Sequence, residues 1–110
     1  MTAPASLAFN VDQPVDWRPA SPDLEISGWL HPGAGAECLD LRARIDGEVF
    51  LGIYGLDRPD AQQAFAGDPA AGRSGFHQQV RVWTGARELA LDYLDARREW
   101  REFFRTSLDT

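Results

Sequence analysis

One hundred and ten residues, 44% hydrophobic and 25% charged, describe one ordinary globular domain spanning 1–110 and leave no room for two independent cores. A chain of this length can bury roughly two-thirds of its unfolded surface, so folding does not call for a metal or a disulfide, and the single Cys38 has no partner within the chain. All eleven basic residues are arginine, set against seventeen acidic ones, and the formal charge of −6 argues against nucleic acid as a partner. The opening Met1 to Leu7 carries no basic side chain and no apolar run of signal length, and no stretch approaches the roughly 20 apolar residues of a membrane span. A cytoplasmic location without membrane contact is therefore expected.

Short segments of alternating apolar and polar residues, separated by Gly, Pro and Asp, carry the period of half-buried strands. Leu7, Phe9 and Val11 alternate with Ala8, Asn10 and Asp12 in a first strand near 7–12, and 16–22 reads as loop. Leu24, Ile26, Gly28 and Leu30 mark the inner face of a second strand, followed by a turn at 32–36. Leu39, Leu41, Ala43 and Ile45 lead into Asp46-Gly47, a dipeptide suited to a tight hairpin turn with positive φ. Val49, Leu51 and Ile53 then read as the aliphatic face of the returning strand, making 39–53 one hairpin.

Residues 59–66 have alanine and glutamine where strands have β-branched residues, which predicts a short surface helix with Asp60 at its cap and Phe65 anchoring it to the sandwich edge. A small-residue loop at 67–75 returns the chain. Strands follow at 76–83 and 88–94, with Leu89, Leu91 and Tyr93 as the apolar face of the second. A polar tip at Arg97-Arg98-Glu99 leads to a final strand at 100–106. About seven strands at this spacing predict an all-β fold, an immunoglobulin-like antiparallel β-sandwich with one short helix near 59–66; a small closed barrel is the alternative.

Little in the chain suits catalysis. Cys38 opens an apolar segment and reads as a packing residue, while two isolated histidines, His31 and His77, do not make a zinc site. The turn carboxylates Asp46, Glu48, Asp57 and Asp60 lack the spacing of a calcium loop, and the glycines form no phosphate-cradling loop. The expectation is no enzyme, no metal and no cofactor. Arg42 and Arg44, with Arg81, are expected to form a cross-strand ladder with Asp40, Glu48 or Asp92. The aromatics Trp17, Trp29, Trp83, Trp100, Tyr54 and Phe50 include several on the phase opposite the aliphatic set, where rings stack on sugars or anchor a protein partner.

Four stretches carry a resemblance: Leu24-Glu25-Ile26-Ser27-Gly28-Trp29; Leu41 to Gly47; Tyr54-Gly55-Leu56-Asp57-Arg58-Pro59-Asp60-Ala61; and Ser74-Gly75-Phe76. Over about residues 7–95 the chain resembles accessory modules that accompany bacterial glycosyltransferases and related cell-surface polysaccharide enzymes, departing from them at Asp57 and at Arg97-Arg98. The resemblance implies a non-catalytic β-sandwich that binds carbohydrate or positions a glycosyltransferase-type enzyme. For sugar binding, Trp29, Trp83 and Tyr54 are the candidate stacking residues, with Arg58 and Asp60 for hydroxyl contacts. The rival expectation is a protein-interaction module, homo-oligomeric or hetero-oligomeric, that uses an exposed sheet edge or aromatic patch.

Overall fold

The predicted alternation folds into two four-stranded antiparallel sheets in a computed structural model that describes residues 7–33 and 35–110. The amino-terminal residues 1–6, read above for targeting signals, and residue 34 of the turn expected at 32–36 lie outside the described residues. Among the described residues the strands are β1 (Ala8–Gln13), β2 (Asp23–His31), β3 (Asp40–Ile45), β4 (Glu48–Leu51), β5 (Ile53–Leu56), β6 (Gly75–Arg81), β7 (Glu88–Leu94) and β8 (Trp100–Ser107), with helix α1 (Pro59–Ala64) between β5 and β6. One sheet has the order β1-β2-β6-β5 and the other β4-β3-β7-β8. That is the strand arrangement of an immunoglobulin-like sandwich with one added edge strand beside β3.

The inner faces are those the alternation predicts for β2, β3 and β7. Ile26, Leu30, Leu41, Ile45, Leu89 and Leu91 are fully buried and meet Phe76 of β6 in one cluster. Each such side chain contributes about 1.5–3 kcal/mol through burial. Asp46 and Gly47 adopt φ of 47° and 91°, the two positive values that a two-residue hairpin turn of this hand requires. The Asp46 carboxylate accepts hydrogen bonds from the amides of Arg87 and Glu88, each at 3.0 Å, which ties the turn to the start of β7.

The returning strand departs from expectation. It ends at Leu51, and Ile53 begins β5 in the opposite sheet, so 39–53 is a hairpin only as far as Leu51 and the strand count rises from about seven to eight. The crossing is made at Gly52, whose amide donates to the Leu41 carbonyl at 2.9 Å. A Cβ there would lie 2.9 Å from Cδ2 of Leu41 and against the buried Gln78 side chain, so only glycine lets the chain step so closely over the core. The phase is also reversed: Phe50 and Tyr54 pack inward, leaving Val49, Leu51 and Ile53 exposed. Both phases of this segment are apolar, and the larger rings take the interior.

Helix α1 starts with Pro59 at its first position, which suits the fixed φ of proline. Its cap residue is Arg58, without a side-chain cap bond, so Asp60 lies in the first turn and does not cap it. Phe65 packs on the rings of Trp29 and His31, at centroid distances of 5.5 and 4.8 Å, on the outer face of β2 and not at the sandwich edge as expected. A turn of 3-10 helix at Ala71–Arg73 completes the return to β6.

Candidate functional site

Three of the five candidate residues, Trp29, Arg58 and Asp60, gather on the outer face of the β1-β2-β6-β5 sheet. Register sets Trp29 between Asn10 of β1 and Gly75 of β6. The stem of Arg58 crosses Gly75, where an added Cβ would stand 2.9 Å from Arg58 Cγ. From there Nε and Nη2 of Arg58 donate to the two oxygens of Asp60 at 2.9 and 2.7 Å, and Nη1 donates to Asp12 at 2.7 Å. The bond from Arg58 holds the Asp60 carboxyl down at about 2, and the same pairing raises the Arg58 guanidinium further into its charged form. Its backbone amide donates to the Gly72 carbonyl at 2.7 Å. Arg58 is thus a clamp joining β1, α1 and the 3-10 turn over the sheet.

Tyr54 and Trp83 do not join this group. The Tyr54 hydroxyl donates to the Leu30 carbonyl at 2.6 Å and its ring packs against the core, with burial pushing its ionisation upward. The ring is half-buried. Trp83, 38% exposed, follows the end of β6 beside Pro22 and Thr110. The register pairs Trp29–Gly75 and Asp23–Arg81 are six steps apart, which puts Arg81 about 20 Å along the sheet from Trp29, with Trp83 two residues beyond it.

Other reactive side chains are likewise engaged. His31 donates from Nε2 to Asp68 at 2.8 Å while Nδ1 accepts the Gly33 amide at 2.9 Å, a tautomer set by the backbone donor. The His31 bond holds the Asp68 carboxyl below the usual range, and neither ring nitrogen is free to act as a base. Burial pushes the Cys38 thiol up to about 12, so it is no thiolate nucleophile at neutral pH.

On the outer face of the other sheet, Asp92 accepts from Arg42 at 2.8 Å and from Arg44 at 2.7 and 3.0 Å. Arg44 continues to Glu102, and Arg105 bridges Glu102 and Glu88. Arg42 also lies 4.3 Å over the Trp100 ring. Of the predicted ladder partners only Asp92 is used, and Arg81 belongs to the opposite sheet.

Two features went unrecognised as sites in the sequence. One is an exposed aliphatic row, Val49, Leu51, Ile53 and Leu56, along β4 and β5, each the terminal strand of its sheet. Its signal was a run of eight uncharged residues, 49–56. The other is a cleft beside β1 that joins Asn10 and Asp12 to Trp17, which stacks on Phe104. Nothing local in the chain signals that contact, since its members come from opposite ends of the sequence. No known family model and no curated protein matches the chain.

Proposed function

We propose that the protein is a non-catalytic accessory module that docks onto a polysaccharide-processing enzyme of the glycosyltransferase type through its β4–β5 edge. The observation that carries this reading is the aliphatic row on that edge, with Leu51 72% and Ile53 58% exposed. Terminal strands present unpaired backbone donors and acceptors, and folds usually protect them with charge, proline or a covering element. Here residues 49–56 contain neither charge nor proline. A partner strand or apolar groove laid on this edge would pair those groups and bury the aliphatic side chains together. The resemblance at Tyr54–Ala61 and Ser74–Phe76 supplies the class of partner. The engagement of Arg58, Asp60, His31 and Asp68 with one another supports a binding role over a catalytic one.

The uncharged run also supports self-association as the second reading, because two copies of an uncharged edge can pair antiparallel without opposing like charges. A photo-crosslinking residue in place of Leu51, in cells that retain the native gene neighbourhood, separates the two. Cross-links to a glycosyltransferase-type enzyme are expected, lost when Ile53 is replaced by Glu. Cross-links between copies of the chain alone favour self-association, and a folded protein that yields neither overturns docking by this edge.

A further inference from the structure

The side of the sandwich opposite the docking edge is also open, because β1 and β8 are the outer strands there. Residues 14–17 pass from β1 toward β8, where the Trp17 carbonyl accepts the Asp109 amide at 3.0 Å. Between this segment and the strands lies a cleft of about 410 Å³, within the roughly 300–1,000 Å³ of ordinary small-molecule sites. Half-buried rings form its apolar wall: Trp17 lies 5.4 Å from Phe104, and Phe9 lies 6.1 Å from Phe104. Val15, 94% exposed, stands at the rim.

The polar side of the cleft is built from β1. Pairing with β2 shifts between Val11 and Gln13, so Asp12 is the extra residue of a β-bulge, a device that re-aims a side chain at a sheet edge. Asn10 Nδ2 donates to Asp12 Oδ1 at 2.6 Å, and Arg58 Nη1 donates to Asp12 Oδ2 at 2.7 Å. The two side chains are held in place yet not exhausted. Asn10 keeps its second amide hydrogen and its carbonyl oxygen, and each Asp12 oxygen keeps acceptor capacity. Arg58 is shared between Asp12 and Asp60, so the trio keeps one net negative charge spread over two paired carboxylates, and the site presents fixed donors and acceptors while disfavouring an anion.

Apolar ring surface beside a preset amide and carboxylate complements a molecule with a C–H face and adjacent hydroxyls that both donate and accept. We infer that this β1 cleft binds a neutral saccharide, with Trp17 as the apolar wall and Asn10 and Asp12 as the hydroxyl partners. The site is independent of the docking edge on the far side of the sandwich. It also differs from the stacking set expected from sequence, since Trp29 packs edge-to-face with Phe65 and the Tyr54 hydroxyl is bonded to the Leu30 carbonyl.

Two-dimensional amide and indole N–H spectra of the full chain, titrated with maltose, cellobiose, lactose and chitobiose, test this. At least one disaccharide is expected to shift the Trp17 indole signal saturably in the millimolar range. Asn10→Ala is expected to weaken that binding about tenfold or more, about 1.4 kcal/mol, and Glu48→Ala, exposed at the start of β4 on the opposite side of the sandwich, to leave it unchanged. Asn10 lies outside the core, so its variant stays interpretable if Trp17→Ala fails to fold. Four silent sugars overturn the inference, as does binding that survives Asn10→Ala or is lost in Glu48→Ala. A Trp17 shift with tetramethylammonium but with no sugar reassigns the rings to a cation and overturns it equally.

Discussion

A methyl group added to Gly75 would sit 2.8 Å from the Leu56 carbonyl oxygen and 2.9 Å from Arg58 Cγ. The backbone there has no room to yield, because Gly75 is paired with Trp29 on one side and Leu56 on the other. Gly75→Ala is therefore expected to cost about 2 kcal/mol, within the range for overpacking a close contact. It should also push Arg58 off Asp12, visible as movement of the Asn10 side-chain amide signal. Urea unfolding checks the first expectation; a midpoint equal to that of the unmodified protein would refute the close approach. The same residues explain what the distinctive stretches of the sequence encode. Tyr54 bonds the Leu30 carbonyl, Arg58 joins Asp12 to Asp60, Ser74 Oγ donates to the Ala71 carbonyl at 2.6 Å, and Phe76 fills the core. These residues report how the fold closes on itself, as the reach of Arg58 to Asp60 and the place of Phe76 in the core show.

At the scale of the strand, the network on β3, β7 and β8 turns on Asp92, which is 2% exposed. Burial pushes its carboxyl up, but the hydrogen bonds from Arg44 and Arg42 outweigh burial and hold it below the usual range. Removing one partner of a fully buried ion pair costs roughly 3–5 kcal/mol. Here the arginine side chains are 23% and 28% exposed and keep partial hydration, so Asp92→Asn is expected to cost less, about 2 kcal/mol. A loss below about 0.5 kcal/mol in urea unfolding would mean that solvent already replaces the pair. That Arg42 and Arg44 share a phase on one strand was legible, but their partner was not, since Asp40, Glu48 and Asp92 stood open until the register placed Arg42 opposite Asp92. The phase of 49–54 was not legible either, since Val49, Leu51 and Ile53 compete with Phe50 and Tyr54 for one interior and alternation cannot rank them. Strand existence and the hairpin turn could be read locally; the step between sheets at Gly52 depended on Leu41 and Gln78, distant in sequence. The β1 cleft failed to show for the same reason, because Trp17 meets Phe104 only after the sandwich forms.

For the whole molecule, the relevant balance is between a formal charge of −6 and carboxylates that the fold holds ionised. Asp60 is held at about 2 by Arg58, and Asp68, Asp92, Asp95 and Glu102 are all lowered by bonds to His31, to Arg44 and Arg42, to the Glu99 amide and Arg101, and to Arg105 respectively. A carboxyl whose folded value lies below its unfolded one contributes stability that is complete above the unfolded value, and that contribution disappears as pH falls through the folded one. Unfolded carboxylates titrate near about 4, and Asp60 sets the lower bound at about 2. Mutual repulsion acts the other way at first, since protonation begins by relieving the negative excess; below that, eleven arginines are left increasingly unopposed. The unfolding free energy is therefore expected to change little from neutral pH down to about 5, then to fall steeply between about pH 4 and pH 2. Urea titrations across that range measure it. The slope should be shallower in Asp92→Asn, which removes one lowered carboxyl, and a protein that gains stability below about pH 4 would show that relief of repulsion outweighs the paired carboxylates.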